Sequence, residues 1–237
     1  MINGMFNALS GLRTSAQKLQ NSANNLANVQ TSGFKKNSVT IGEVKSGGSQ
    51  LISTTRVNIQ GGILPTGNPT DLAINGAGFF QVALPNGSVG FTRAGQFTTN
   101  AAGNMATADG NEIIPSINIP GNSTGVSVDS SGQIVAMVNG NAQVMGQIQL
   151  ANFNNPAGLS ADGNNILTES NVSGAPILSN PGEGGNGTII SGSVEMSNVD
   201  IAEEMVGQIT FQAAFTANAK VIMTADEVIG TILDIKS

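Results

Sequence analysis

The sequence predicts an α+β protein in which a long helix at each end of the chain flanks a central all-β region. Two observations predict this arrangement. Apolar residues recur at alternating gaps of three and four near both chain ends, which is the period of one helix face. Between the ends, short apolar segments alternate with turns rich in Gly and Asn, as in antiparallel sandwiches and small barrels.

The first helix is predicted to continue to a stop signal at Gly33. Its apolar stripe contains no charged residue. The residues that follow Gly33 are rich in Ser, Thr and Gly and offer little apolar surface to cover the stripe. We therefore expect the partner of this stripe to be distant in sequence or on another chain. The stripe consists of Ile2, Met5, Leu9, Leu12, Ala16, Leu19, Ala23 and Leu26.

The central region is predicted to consist of short antiparallel strands. The turn at 85–87 predicts a hairpin, and further turn signals recur at intervals typical of sandwiches and barrels. The segment 152–187, which contains three prolines and a Gly-rich run, is predicted to be a loop. One last strand is expected over 189–196.

The second helix is predicted to begin at Ser197 or Asp200 and to end near Ile235. Asp200 followed by Glu203 is the pattern of a capping box, and no Pro interrupts the helix after it. This helix also carries an apolar stripe at gaps of three and four. Its members are Ala202, Val206, Ile209, Ala213, Ala217, Val221, Ala225, Val228 and Ile232.

These elements predict two domains. Residues 1–33 and 197–237 form a terminal helical domain, in which the two helices pair as a coiled-coil-like unit. Residues 34–196 form a central β domain with linker segments. Each stripe is a natural partner for the other, and pairing with copies of the same chain is the alternative.

The residue inventory argues against an enzyme. The chain has no His and no Cys, which removes the commonest general base, the thiolate nucleophile and the usual zinc ligands. Asp109 and Glu112 could form a glycosidase pair, but solvated turn carboxylates are the favoured interpretation. The loops at Asp129 and Asp162 lack the spacing and final Glu of a calcium loop. We predict no catalytic residue, cofactor or metal site.

Charge and hydropathy limit the partners. A net charge of −6 without a basic stripe argues against a nucleic-acid partner. No apolar run approaches the ~20 residues of a membrane span. The N-terminus lacks the basic segment, continuous apolar core and cleavage site of a secretory signal. Any export is therefore expected to use another route.

Three groups of motifs resemble the bacterial flagellar basal-body rod and hook protein family. Near the N-terminus these are Leu9-Ser-Gly-Leu12, Ala23–Asn28 and Thr31–Lys35; Asn75–Phe80 and Phe91–Phe97 follow in the centre, and Ser197–Val206 lies at the start of the second helix. The motif residues are Asn24, Asn25, Leu26, Ala27, Asn28, Gly33, Phe34, Gly76, Gly78, Phe79, Phe80, Arg93, Gly95, Phe97, Asn198 and Val199. Length and middle region resemble distal-rod members most. A short segment at 36–61 is closer to hook members, so a short hook-type or proximal rod subunit stays an alternative.

The resemblance implies a structural subunit that polymerises with copies of itself into a hollow helical tube transmitting torque. It also implies adjacent rod and hook subunits as partners, with unfolded export by the flagellar type III apparatus without a cleaved signal. The implied location is the periplasm-spanning rod or the hook, and no small-molecule substrate is expected. A second hypothesis, of another class, is a secreted carbohydrate-binding β-domain protein that uses Phe79, Phe80 or Phe91 as sugar platforms.

Overall fold

The computed structural model describes residues 2–45 and 47–235, and of Ile2 and residues 233–235 only the backbone. These residues form two compact units. The helical unit comprises the described parts of 1–29, 36–57 and 199–237. The β unit comprises 30–35 and 58–198.

The first helix, α1 (Ile2–Ala27), ends earlier than the predicted stop at Gly33. The amide side chain of Asn28 donates to the carbonyl of Asn24 at 2.9 Å. Such local side-chain hydrogen bonds compete with continued helix, which explains why an Asn-rich segment closes α1 before the glycine. Gly33 lies in the β unit.

The second helix, α2 (Ile201–Ile235), begins where the capping signal predicts. The Asp200 carboxylate accepts the backbone N–H groups of Ala202 at 2.8 Å and Glu203 at 3.1 Å. Glu203 pairs with Lys36 across 2.8 Å. Asp200 therefore satisfies two of the free donors at the start of α2.

Strands β1 (Asn37–Glu43) and β2 (Ser49–Arg56) form an antiparallel hairpin. The sequence predicts this segment to be part of the central region, whereas in the structure it belongs to the helical unit. The reason is polar contact with α1. The hydroxyl of Thr14 lies 2.9 Å from that of Ser49, and the amides of Asn21 and Asn25 donate to the Asn37 carbonyl.

The β unit is antiparallel throughout its described strands. Its strands are β3 (Ile63–Pro65), β4 (Leu72–Asn75), β5 (Phe79–Ala83), β6 (Val89–Thr92), β7 (Phe97–Thr99), β8 (Met105–Thr107), β9 (Ile113–Ile114), β10 (Ser123–Val128), β11 (Gln133–Val138), β12 (Asn141–Gln147), β13 (Leu150–Asn152), β14 (Ser160–Gly163), β15 (Ile166–Thr168), β16 (Ile177–Ser179), β17 (Thr188–Ser191) and β18 (Ser193–Glu195). A seven-stranded sheet has the order β14-β15-β6-β5-β13-β16, with β9 also paired to β5. The other strands form the pairs β4–β17, β3–β18 and β7–β8 and the meander β10-β11-β12.

The structure confirms the α+β class and the β5–β6 hairpin. Among the described strands there is no closed barrel. The predicted loop 152–187 holds β14, β15 and β16. β14 is polar, and β15 and β16 are only three residues long, so none of them shows an apolar alternation. The last predicted strand is divided at Gly192, whose φ of 68° separates β17 from β18.

Side chains that alternate along β5 belong to two different apolar clusters. Phe80 packs edge-to-face on Phe97 with ring centroids 5.2 Å apart, in a cluster that includes Leu72 and Ile113. Phe79 belongs to a second cluster with Phe91 and Phe153. Successive side chains of a strand point to opposite faces, so both faces of this sheet are covered within the β unit.

Candidate assembly surface

The contact between α1 and α2 is made by small and polar side chains. Asn25 donates to the Glu204 carboxylate at 2.9 Å, and the Ser22 hydroxyl donates to the Glu204 carbonyl at 3.1 Å. The Lys18 ammonium lies 5.4 Å from the centre of the Phe211 ring. Farther along, a Cβ atom on Gly11 would come within 2.8 Å of the Asn218 side chain. Residue numbers rise along α1 as they fall along α2, so the helices are antiparallel.

The predicted α1 stripe is not the face that contacts α2. The buried residues of α1 are Ala8, Thr14, Ser15, Ser22 and Asn25. Of the stripe, Leu9, Ala16 and Ala23 are exposed, and Met5, Leu12, Leu19 and Leu26 are half-buried; the Ile2 side chain lies outside the described residues. Small and polar residues permit the close approach of α2, which leaves the larger apolar side chains beside the contact.

The α2 stripe is more exposed. Val206 and Ile209 are 64% and 68% exposed, and of its other members only Ala225 is half-buried, while Ala202, Ala213, Ala217, Val221, Val228 and Ile232 are exposed. Met205, Phe215 and Met223 add exposed apolar surface on other sides of α2. A helix that is apolar on several sides is typically buried in its functional state. The structure therefore does not confirm a coiled-coil-like pairing of the two stripes within one chain.

Part of the α2 stripe lines a shallow groove, which we call the outer groove. It is lined by Ile209, Gln212, Ala213, Thr216, Ala217 and Lys220. Small Ala residues in a row let a neighbouring helix approach closely, and the flanking Ile and Val side chains provide apolar area. The surface has the character of a helix-binding face.

Asn25 is the motif residue with the clearest role in the helical unit. Its side-chain oxygen accepts the Asn37 N–H at 2.9 Å, while its amide donates to the Asn37 carbonyl and to Glu204. One buried side chain thus connects α1, α2 and β1. Of the neighbouring motif residues, Asn24 and Ala27 are exposed and Leu26 and Asn28 are half-buried.

Glu195, which is not among the site residues predicted from the sequence, is the centre of a buried ionic cluster in the β unit. Its side chain is fully buried and pairs with Lys35 and with Arg93, the latter at 3.2 Å. It also accepts the Gly61 N–H at 3.0 Å. The Arg93 guanidinium donates to the Gly76 carbonyl at 2.7 Å. A charged residue inside the apolar segment 189–196 was the available signal, because a buried carboxylate requires cationic partners.

Burial sets the electrostatics of this cluster. Desolvation lowers the pKa of the Lys35 amine, and the hydrogen bond and charge of Glu195 oppose this shift. Desolvation likewise lowers the pKa of the Arg93 guanidinium, again opposed by Glu195. Because Lys35 and Arg93 pair with the same carboxylate, the burial of both cations depends on Glu195.

Two motif glycines lie where a side chain does not fit. A Cβ atom on Gly95 would overlap the Leu72 carbonyl oxygen, which the Gly95 backbone approaches closely. Gly33 has φ 70° and lies against the backbone of Arg93 and Ala94. The remaining central motif residues Gly78, Phe79, Phe80 and Phe97 lie in or beside β5 and β7, while Phe34 is half-buried. Asn198 and Val199 immediately precede the Asp200 cap.

The aromatic residues proposed as sugar platforms are not available. Phe79, Phe80 and Phe91 are 3%, 0% and 2% exposed, because they form the two apolar clusters. A sugar-binding platform requires an accessible ring face, so the structure contradicts this part of the carbohydrate-binding hypothesis.

Two of the four carboxylates considered for chemistry, Glu112 and Asp129, have local structural partners. Glu112 accepts the side-chain amides of Asn100 and Asn104 at 2.8 and 3.0 Å. The Asp129 carboxylate closes its own turn: hydrogen bonds from the Ser131 hydroxyl and the Gln133 N–H lower its pKa. Among the described residues, no group of carboxylates is arranged to hold a metal ion. Within the same residues, no helix has the length and hydropathy to cross a membrane.

Comparison with known proteins defines the family. Residues 73–136 match the family model described as flagellar hook protein FlgE/F/G D1 domain, and residues 190–235 match flagellar basal body rod FlgEFG protein C-terminal. The chain belongs to the flagellar basal-body rod and hook protein family.

Within this family, the chain is similar to rod proteins over nearly its full length. The chain is 39% identical to flagellar basal-body rod protein FlgG of Buchnera aphidicola subsp. Acyrthosiphon pisum, covering 97% of this chain and 98% of that protein. It is 33% identical to FlgG of Bacillus subtilis over the whole of both chains. Flagellar hook protein FlgE of Salmonella typhimurium is 30% identical, but the match covers 73% of this chain and 45% of the hook protein.

Proposed function

We propose that this chain is a structural subunit of the flagellar basal-body rod, of the distal-rod type, and not an enzyme. The near-complete coverage of rod proteins in both directions supports this, since the hook protein extends far beyond the matched region. The single observation that carries the mechanism is the exposed apolar surface of α1 and α2. In an assembly, neighbouring subunits bury that surface and gain the hydrophobic free energy that a lone subunit lacks.

The same proposal includes the shape and route of the assembly. Head-to-tail contacts between identical subunits produce open helical polymers, and a hollow tube of this kind transmits torque along its length. Adjacent rod and hook subunits are the expected neighbours at its two ends. Export through the flagellar type III apparatus without a cleaved signal is part of the same proposal.

Deletion and complementation of the gene test this function. In the source bacterium, we expect deletion to abolish motility and to leave basal bodies without a complete rod and hook, as seen by electron microscopy. Restoring the full chain on a plasmid should restore both. Normal flagella and swimming in the deletion strain would reject the structural role. Secretion of the chain into the medium is measured in parallel, so that an export defect is distinguished from an assembly defect.

A further inference from the structure

Asn-Gly dipeptides lie at several turns between strands of the β unit. Asn and Gly are preferred in such turns because both tolerate a positive φ. The same dipeptide is chemically labile, since Gly has no side chain to shield its backbone nitrogen from the preceding Asn. The chain contains five such pairs, of which Asn3-Gly4 lies in α1. The four pairs of the β unit are Asn75-Gly76, Asn86-Gly87, Asn139-Gly140 and Asn186-Gly187.

The reaction to which this dipeptide is prone is deamidation. The backbone nitrogen of the glycine loses its proton and forms a bond to Cγ of the asparagine. The bond between Cγ and the side-chain nitrogen breaks, and this nitrogen takes up a proton and leaves as ammonia. Water then opens the resulting cyclic imide at one of its two carbonyls, which gives aspartate or isoaspartate. A hydrogen bond from the glycine N–H, or burial of the asparagine, therefore opposes the reaction.

The Asn86-Gly87 pair is restrained at both groups. The Gly87 N–H donates to the Leu84 carbonyl at 2.9 Å. The side-chain oxygen of Asn86 accepts both the N–H and the hydroxyl of Ser88, at 3.0 and 2.7 Å. These hydrogen bonds hold the glycine nitrogen and the asparagine side chain in place, so both must open before the bond between them can form.

The Asn186-Gly187 pair is restrained and buried. Asn186 is only 7% exposed, and its amide donates to the Leu150 carbonyl at 3.0 Å and to the Ser179 hydroxyl at 2.8 Å. The Gly187 N–H donates to the Ala77 carbonyl at 2.7 Å. Burial also keeps away the water that the second step consumes.

The Asn75-Gly76 pair is restrained at the glycine. The Asn75 side chain is exposed, but the Gly76 N–H donates to the side-chain oxygen of Gln60 at 2.9 Å. The amide of Gln60 in turn donates to the Ile74 carbonyl at 3.3 Å. One side chain, that of Gln60, therefore holds the nitrogen that would react.

The Asn139-Gly140 pair is accessible at both groups. Its φ values of 52° and 79° are those of a type I′ turn, which joins β11 to β12. Both residues are exposed, and a Cβ atom on Gly140 would meet no atom within 4 Å. Within residues 2–45 and 47–235, neither the Asn139 side chain nor the Gly140 N–H has a hydrogen-bond partner.

We propose that Asn139 is the deamidation site of the β unit, converted by water to aspartate and isoaspartate with release of ammonia. Hydrogen bonds and burial protect the other three pairs. The modification is independent of the proposed function, because it requires only this chain and water.

Deamidation changes both the charge and the backbone at this turn. Aspartate and isoaspartate each add one negative charge at the tip of the β11–β12 hairpin. Isoaspartate also adds a methylene group to the backbone, and the loop fixes the register of a hairpin. We therefore expect faster amide exchange near the Val138–Asn141 pair in the chain that has formed isoaspartate.

Peptide mass spectrometry of the full chain tests the site. The folded chain is incubated in mildly alkaline buffer and then cleaved after glutamate. Asn139 and Asn186 then lie in the peptides 113–169 and 184–195, and the other two pairs lie in 44–112. Sequencing by fragment ions identifies the modified residue. We expect Asn139 to deamidate about tenfold faster than Asn86 and Asn186, because the hydrogen bonds of those pairs must first open.

Two controls separate the effect of structure from that of sequence. In urea-unfolded chain the four pairs should deamidate at similar rates, because the dipeptide is the same. Gln60→Ala frees the Gly76 N–H and should raise the rate at Asn75 about fivefold, the factor expected for one lost hydrogen bond. The rate at Asn139 should not change. Gln50→Ala, at an exposed glutamine of the helical unit, is the matched variant and should change neither rate.

Two results would overturn the proposal. The first is a folded chain in which any of the other three pairs deamidates as fast as Asn139. The second is an Asn139 that stays intact in the folded chain but reacts in the unfolded one. An unchanged rate at Asn75 in Gln60→Ala would overturn the protection assigned to the glycine N–H bonds. These rates are measured on the chain alone, so the rod function is tested separately by deletion of the gene.

Discussion

The two units of this chain differ in where their large apolar side chains lie. In the β unit, Phe80, Phe91 and Phe97 are buried among other apolar residues of the same unit. In the helical unit, Ile209 and Val206 are exposed, and the helix contact is made by Ser, Asn and Gly. The β unit thus supplies its own core, whereas under the proposed function neighbouring subunits supply the core of the helical unit. The difference teaches that, under this proposal, folding and assembly depend on different residues of one chain.

The largest expected effect is loss of assembly from a charge in the α1 stripe. Leu12→Asp or Leu19→Asp requires an unpaired carboxylate to be buried at every subunit of a polymer, which costs several kcal/mol each time. We expect self-association and motility to be lost while the β unit unfolds at its normal urea concentration. Gln17→Asp, on the exposed polar side of α1, is the control. A Leu12→Asp chain that is exported and builds normal rods would contradict this role of the stripe.

The largest effect on the β unit is expected from Glu195→Gln. The substitution leaves Lys35 and Arg93 buried without their carboxylate, and breaking a buried ion pair in this way costs about 3–5 kcal/mol. Urea unfolding of the full chain, monitored by near-UV circular dichroism of the phenylalanines, measures the loss. Glu169→Gln at an exposed site should change the stability little. Equal stabilities of the two variants would show that the cluster contributes nothing to the β unit.

A smaller effect is expected at the start of α2. Asp200→Ala removes the acceptor of two N–H groups and should cost about 1 kcal/mol, confined to the first turn of α2. Faster amide hydrogen exchange in that turn is the readout. Asp226→Ala, within the same helix, serves for comparison. Unchanged exchange at the first turn would mean that the cap is not needed.

The smallest effect concerns pH. Burial lowers the folded-state pKa of Lys35 below its ordinary value of 10.5. At a pH between the lowered and the ordinary pKa, the amine is neutral in the folded chain and protonated in the unfolded chain. The unfolded state then binds more protons, so stability should rise with pH in this window. Lys35→Met should abolish the rise. If the wild-type chain loses stability as the pH rises through this window, by the same amount as Lys35→Met, the lowered pKa of Lys35 is contradicted. With no His in the chain, stability is expected to vary little near neutrality.

The sequence predicts best where a local signal determines the structure. The Asp200 cap begins α2, and the turn at 85–87 joins β5 to β6. Short polar strands such as β14 lack such a signal, because neighbours in the sheet hold them extended. The same applies to Glu195, whose importance comes from residues far away in sequence, Lys35 and Arg93.

Apolar periodicity also predicts surfaces better than it predicts partners. It identifies the stripes on α1 and α2, but the contact within one chain is determined by Gly11, Ser22 and Asn25. Small and amide side chains carry no periodic apolar signal, so hydropathy alone cannot identify that face. Apolar periodicity also does not identify what the stripes contact, so their contact with other copies of the chain is a proposal.

Hydrogen exchange of the full chain, measured in dilute monomer and in the assembled state, tests the central difference between the two units most directly. In the monomer we expect β5 and β6 to exchange slowly and α2 from Val206 to Val228 to exchange fast, because regions with few buried apolar contacts open easily. On assembly the protection of α2 should rise while that of the β unit stays the same. Equal protection of α2 and β5 in a demonstrated monomer would contradict the account.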